Sequence, residues 1–372
     1  MWKGTFKKLK KILVTGAAGF IGSQLAYRLW KNGDQVILVD NFSYGSEDNL
    51  EFDEHNFSSE IYRKDIRDIN FMEDLFKSER FDYVYHIAAI TPLPDCQSRP
   101  VEAIDVNVRG TAIILDLVRR YGVKKMFFAS TSAVYENNTD FPSIEDNVTA
   151  PSLLYPSTKY TAEQFCKAFY DAYRIPIVCF RFANVYGPHI DCLRTQPPVM
   201  GYIIREFYKG HSPILHSTGE QRRDFIYVDD LIDLCLKAQS ADSFDIVNVS
   251  SQETISINRI ATIIAQIMHC EHINIKYAEA EDFWKKYPQL FHPKHVVRKN
   301  MLDMWMAFLK DPLNNEIQDV NEVRQALDTL KEVSEDEEAL EIYYLRQQTE
   351  FGYISEKNVA VEKAHKSGER RR

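Results

Sequence analysis

Apolar residues along this chain gather in short runs that alternate with longer amphipathic stretches. "KKILVTG" at residues 10–16 is a continuous, partly β-branched run, the pattern of a strand covered on both faces. Residues 20–32 then carry apolar positions at helical spacing. The alternation continues with "QVILVD" as a second strand, "EIYRKDI" as a third, a helix at 69–78 and "YVYHIAA" as a fourth strand. A long helix is predicted over 100–121, a fifth strand at "KKMFFAST", a helix behind Tyr155 and a further strand at "PIVCFRFAN". Strands separated by helices need crossover connections, so the expectation is an α/β fold with a doubly wound parallel sheet. From about residue 185 the pattern loosens into Pro- and Gly-rich loops, short strands "PILH" and "DFIYV", and helices near 228–239 and 256–268. That change predicts a smaller C-terminal α/β domain over 185–350 after a first domain over 1–184, with some later segments returning to the first. Residues 351–372 read as a charged tail.

Composition narrows the class. The 372 residues are 45% apolar and 27% charged, which points away from a disordered or membrane-embedded chain. A formal net charge of −9 argues against nucleic acid as a partner. The basic start "MWKGTFKKLKKILVTG" has an apolar run, "ILV", too short for a signal-peptide core. A run of about 18 apolar residues, the length a membrane span needs, does not occur. Six cysteines are scattered without a CxxC pair, as expected of reduced thiols in a cytoplasmic protein.

"ILVTGAAGFIGS" places Gly16, Gly19 and Gly22 between a predicted strand and a predicted helix, with Phe20 and Ile21 opening that helix. Glycines there allow a tight turn, close backbone approach and close helix–sheet packing, and the helix amides face a pyrophosphate. The next strand ends at Asp40, followed by Asn41, where a carboxylate accepts hydrogen bonds from an adenosine ribose. No Arg or Lys follows in "DNFSYGS", so NAD is expected rather than NADP. Asp65 and Ile66 in "RKDIRD" offer a carboxylate and an apolar flank for the adenine. In "LLYPSTK", Tyr155 and Lys159 stand four apart and share one helical face. A tyrosine titrates near about 10 and needs a neighbouring cation to act as a base at neutral pH.

Taken together, "TGAAGFIGS", "DNFSYG", "DIRD", "HIAA", "DVNVRGT", "STSAVY", "YPSTK", "RFANVYGP" and "RRDFIYVDD" resemble the extended short-chain dehydrogenase/reductase family over about residues 11–250. More narrowly, they resemble its NAD-dependent sugar-nucleotide epimerases and dehydratases, which implies a Rossmann-type first domain and a substrate-binding second one. The resemblance makes Tyr155 the general base, Lys159 the ribose-holding cation that lowers the phenol's pKa, and Thr131 the partner of the sugar hydroxyl. It adds Ala88, Ala89 and Asn107 to the cofactor site. On the substrate side it implies Thr131, Ser132, Asn184 and Arg223, with Arg298 as a second phosphate arginine. A UDP-sugar is the default substrate that the resemblance implies, although His216 and Ser217 replace the family's aromatic and glycine and a histidine stacks a base less extensively.

Dehydratases of the family resemble "STDEVYG", with an Asp–Glu pair that eliminates water, whereas this chain has Ser132 and Ala133. Without those acids the expected reaction is 4-epimerisation through a transient 4-keto sugar. Dehydration or 4-keto reduction is the alternative, for which Glu136, Asp95 or Cys96 would have to supply the acid–base group. Retention of Thr131, Tyr155 and Lys159 counts against a catalytically silent NAD-binding protein. The resemblance also implies a homodimer through the helices at about 100–120 and 157–174. Val101, Ile104, Val108 and Leu115 are expected on one apolar stripe there, with Ile113 and Leu117 turned away.

Overall fold

The central sheet of the computed structural model, which describes residues 9–278 except Asp140, Thr195 and Ser217, has seven strands. In chain order they are β1 (Lys11–Thr15), β2 (Gln35–Asp40), β3 (Ile61–Arg63), β4 (Tyr83–His86), β5 (Lys125–Thr131), β6 (Ile177–Phe182) and β7 (Asp245–Val249). Across the sheet they run 3-2-1-4-5-6-7, every neighbouring pair parallel. This is the Rossmann order, with its crevice where the order reverses between β1 and β4.

The helices are α1 (Phe20–Lys31), α2 (Ile69–Glu79), α3 (Leu93–Ser98), α4 (Pro100–Ile104), α5 (Thr111–Arg120), α6 (Leu154–Tyr173), α7 (Val199–Tyr208), α8 (Val228–Lys237) and α9 (Ile257–Ile267). Alternate strand residues feed two cores, because successive side chains leave opposite faces of a strand. Ile12, Val14 and Phe127 pack with α1 and α8 on one face. Leu13, Met126 and Phe128 pack with α2, α5 and α6 on the other. This is why β5 and β6 are buried along their whole length and read as unbroken apolar runs.

Three expectations change. The predicted helix over 100–121 is interrupted by a π-turn, Asp105–Gly110, between α4 and α5. A wider turn rotates α5 about its axis relative to α4, so the apolar stripe does not continue straight through. Leu115 therefore enters the core beside Ile114, Leu117 and Val118, while Val101 and Ile104 remain 79% and 46% exposed. Leu115 does not share a face with them, and Leu117 is core rather than a second stripe. "EIYRKDI" forms only the short β3. The central sheet itself continues beside β6 with β7, from the later part of the chain.

The remaining later segments form their own cluster. Asn184–Tyr186 pairs with Arg222–Tyr227, which pairs with Thr254–Ser256, and Ile214–His216 pairs with Lys276–Ala278. Met200, Ile203 and Phe207 of α7 meet Ile260, Ala261 and Ile264 of α9 in a separate apolar core. Arg298 and residues 351–372 lie outside the described residues.

Candidate active site

β1 delivers the chain to Gly16, whose φ is +71°, a conformation glycine tolerates at no steric cost. A Cβ at Gly16 would lie 2.6 Å from the Ala88 nitrogen, and one at Gly22 only 2.0 Å from the Gly16 carbonyl oxygen. The turn is thus pressed against Ala88 on one side and against the start of α1 on the other, with Ala89 next in the same segment. Gly19 caps α1 without a side chain, so the amides of the first turn, at Phe20 and Ile21, have no local side-chain acceptor. Asp40 is buried at the end of β2 and accepts from Ala18 N at 3.0 Å and Phe42 N at 2.7 Å. Burial raises its pKa, and these two hydrogen bonds oppose the rise. A glycine cradle that any Cβ would fill, an uncapped helix start and a carboxylate anchored at the strand end fit a dinucleotide.

The adenine-side residues are more tightly committed than the sequence implied. Asn41 donates to Asp65 at 2.9 Å, and Arg67 grips the same carboxylate at 2.9 and 2.7 Å. The Arg67 guanidinium holds the Asp65 pKa down to about 2. Ile66 is buried against Gly110, where a Cβ would meet its Cδ1 at 2.7 Å.

Asn107 is committed to neighbouring segments of the protein. It is 1% exposed, accepts from Ile90 N at 2.8 Å, and donates to Ile90 O at 2.8 Å and to Thr158 Oγ1 at 3.1 Å. Its amide ties the segment after β4 to α6.

β5 ends at Thr131, which caps the 3-10 turn Ser132–Tyr135 by accepting from Ala133 N at 3.1 Å. Tyr155 is the second residue of α6 and Lys159 lies one turn on. Burial pushes the Tyr155 phenol up to about 12, and a hydrogen bond with the Thr131 side chain opposes the rise. Lys159 is almost fully buried, donates to the Ala129 carbonyl at 2.8 Å and lies over the Phe128 ring at 4.9 Å. Burial lowers its pKa to about 8. Tyr155, Thr131 and Lys159 are therefore brought together, but the lysine is anchored to β5 and is not among the groups that lower the phenol's pKa.

The three groups considered for an elimination are placed differently. Asp95 accepts from the Tyr44 hydroxyl at 2.5 Å and pairs with Arg99 at 3.4 Å. Cys96 is buried, its thiol pushed up to about 11, and donates to Ile90 O at 3.5 Å. Glu136 is buried and holds the backbone just ahead of α6. What sequence reading missed is Glu163, four residues past Lys159 on the same helical face. Fully buried, it binds the Ser130 hydroxyl and the Arg181 guanidinium. The i, i+4, i+8 spacing of Tyr155, Lys159 and Glu163 was a signal that could have found it.

Among the substrate-side residues, Asn184 is exposed and donates to Asp224 O at 2.9 Å. Arg223 lies on the adjacent strand, donates to Arg222 O at 2.7 Å, and burial lowers its pKa to about 10. Asp229, six residues further on, pairs with Arg28 at 2.9 Å. Ser132 is half-buried directly after Thr131, and His216 ends the strand Ile214–His216.

A Rossmann sheet with this glycine cradle and a Thr–Tyr–Lys cluster defines the class of NAD-dependent enzymes that work on hydroxyl-bearing carbon. The sequence profile of the NAD dependent epimerase/dehydratase family matches residues 12–250, and the chain belongs to that family. A UDP-N-acetyl-alpha-D-glucosaminuronate decarboxylase of Bacillus cytotoxicus is 34% identical over 269 residues, 70% of this chain and 81% of the relative. A dTDP-D-glucose 4,6-dehydratase of Mus musculus is 30% identical over 263 residues, 70% of this chain and 73% of the relative. The crystal structure of a UDP-glucose 4-epimerase from Thermotoga maritima, solved with UDP-glucose, superimposes with a TM-score of 0.69 at 29% identity, covering 77% of this chain and 94% of that one. The family acts on sugar nucleotides with NAD as its cofactor, and its members include epimerases, dehydratases and decarboxylases. Among the described residues, no helix is long and apolar enough to cross a membrane.

Proposed function

We propose that this enzyme is a nucleotide-sugar 4-epimerase that works in the cytoplasm, with a UDP-sugar as its substrate. The observation that carries the reading is the pair Ser132–Ala133 directly after Thr131, at the position of the acidic pair in the family's dehydratases. Neither side chain transfers protons at useful pKa. Of the neighbouring candidates, Asp95 is engaged by Tyr44 and Arg99, and the Cys96 thiol is held protonated.

Gly16, Gly19 and Gly22 with the first-turn amides of Phe20 and Ile21 would hold the cofactor's pyrophosphate, and Asp40 its adenosine ribose. Bound NAD supplies reversible hydride acceptance from the sugar carbon. Tyr155 takes the proton of the C4 hydroxyl and later returns it, and Thr131 orients that hydroxyl. Lys159, fixed on Ala129 O one turn along α6, would hold the cofactor's nicotinamide ribose. Asn184 and Arg223 hold the diphosphate, where an arginine fork makes strong charge-assisted bonds. We read residues 185–350 as mainly the substrate domain. The assembly is a homodimer in which α4 and α6, side by side, present Val101, Ile104, Phe165 and Tyr173 to a second copy.

Run in deuterium oxide, 4-epimerisation breaks only the C4–H bond, so the product carries no carbon-bound deuterium. Deuterium at C5 or C6, or loss of water from the product, would replace this reading with the dehydratase one.

A further inference from the structure

Glu136 stands where the family's motif ends in glycine, and neither cofactor nor substrate binding accounts for it. It comes directly after the 3-10 turn Ser132–Tyr135, at the opposite end of that turn from Thr131. Its side chain is 7% exposed. One oxygen, Oε1, accepts from Ser152 N at 2.5 Å, Leu153 N at 2.6 Å and the Ser152 hydroxyl at 3.3 Å. The other, Oε2, is buried without a hydrogen-bond partner.

Leu153 is the N-cap of α6, which has no side-chain cap of its own and no acidic residue in its first turn. A helix start leaves several amides unsatisfied and favours negative charge nearby. Glu136 therefore does from another segment what the glutamate of a capping box does locally, accepting from the amide of the N-cap residue. Tyr155 is two residues beyond Leu153. Thr131 caps one end of the 3-10 turn, and Glu136 at the other end fastens the start of α6 through the amides just ahead of Tyr155.

We propose that Glu136 is a positioning residue for catalysis, setting the Tyr155 phenol against Thr131 by clamping the start of α6. The proposal rests on Tyr155 as the proton-transfer group and holds whichever sugar is turned over. The clamp needs an acceptor at the Oε1 position, not a charge and not a transferable proton. Three substitutions separate these requirements. Glu136→Gln keeps the acceptor and removes the charge. Glu136→Asp keeps the charge and withdraws the acceptor by roughly 1.5 Å, one bond length along the side chain. Glu136→Ala removes both.

With purified full-length enzyme and NAD, kcat is expected to fall in the order wild type and Gln, then Asp, then Ala. A misplacement of about 1 Å costs on the order of 10² in rate, so Ala should lose up to that factor. KM and the NAD dissociation constant should stay near wild type. In a Tyr155→Phe background, Glu136→Ala should cause little further loss, because the two act as one unit. Asp matching or exceeding Gln would overturn the clamp in favour of a charged or proton-transferring Glu136. Wild-type kcat in all three variants would overturn it too, as would a rise in KM and a loss of NAD affinity accompanying the fall in kcat. If the Ala variant does not fold, as thermal unfolding would reveal, the Gln and Asp order still decides. Full activity of Tyr155→Phe alone would instead refute the Tyr155 assignment.

Discussion

Glu163 and Arg181 form a buried ion pair, Oε2 to Nη2 at 2.7 Å, one turn beyond Lys159 on α6. A second contact, Arg181 Nε to Glu163 Oε1 at 3.0 Å, makes the pair bidentate. Arg181 also donates to the Tyr135 hydroxyl at 2.7 Å and the Glu145 carbonyl at 2.8 Å, and Tyr135 donates to Asn248 at 2.6 Å. The network joins α6, β6, β7 and the turn after Thr131.

Removing one partner leaves a buried charge uncompensated, which typically costs about 3–5 kcal/mol. Glu163→Gln and Arg181→Met should each lower unfolding free energy by that order in urea titrations. The double variant Glu163→Leu with Arg181→Met should recover part of it, since a matched apolar pair leaves no lone charge. Single variants as stable as wild type would mean that solvent reaches the pair.

Tyr155→Phe should lower kcat by about 10²–10⁴ while NAD binding is kept, because only the proton acceptor is lost. Steady-state kinetics together with calorimetric NAD titration test this. Near-wild-type turnover would require another base.

Lys159 titrates at about 8 in the folded chain, below the ordinary lysine value of 10.5, because burial opposes its charge. Between about pH 8 and 10.5 the unfolded chain therefore holds a proton that the folded chain has released. Stability from this site rises with pH across that window and is constant below it. The unfolding free energy of wild type minus that of Lys159→Met, without cofactor, should increase from pH 8 towards pH 10. A pH-independent difference would contradict the burial of the charge.

The sheet was legible because β5 and β6 are buried along their length and so read as unbroken apolar runs. Gly16 and Gly22 were legible for a similar reason, each standing where a Cβ would collide with backbone. The π-turn was not, because Asp105–Gly110 differs from an α-helix in hydrogen-bond register and not in composition. The stripe through Leu115 was misread with it. Glu136 and Arg181 were obscure for another reason. Their partners, Leu153 and Glu163, lie 17 and 18 residues away in sequence, and no local pattern announces such pairings.

Cofactor choice tests the end of β2. Asp40 is buried and already turned towards the glycine loop through Ala18 N, so a 2′-phosphate would meet a carboxylate that cannot swing away. NAD should bind more tightly than NADP to stripped protein. Asp40→Ser should narrow the gap and also weaken both cofactors, since the Ala18 hydrogen bond is loosened. Equal affinity in the wild type would refute the reading.

The dimer prediction turns on where the π-turn leaves the apolar surface. Asn107 meets Thr158 near the start of α6, and Arg119 lies over the Tyr173 ring at 5.1 Å near its end, so α5 and α6 run side by side. The π-turn carries Leu115 inward, and the outward apolar residues are then Val101 at 79% exposure, Ile104 at 46%, Phe165 at 41% and Tyr173 at 49%. Burying such residues is worth about 25 cal/mol per Å² of apolar area, and a stable interface needs on the order of 800 Å² per partner. Glu substitutions at Val101 and Ile104 place charge on that face without entering either core. Sedimentation at micromolar concentration should show a dimer for wild type and a monomer for the double variant. The control Leu115→Glu should instead unfold the chain, because Leu115 is fully buried. Wild type sedimenting as a monomer would sink the four-helix interface. A double variant that stays dimeric would move the interface away from α4.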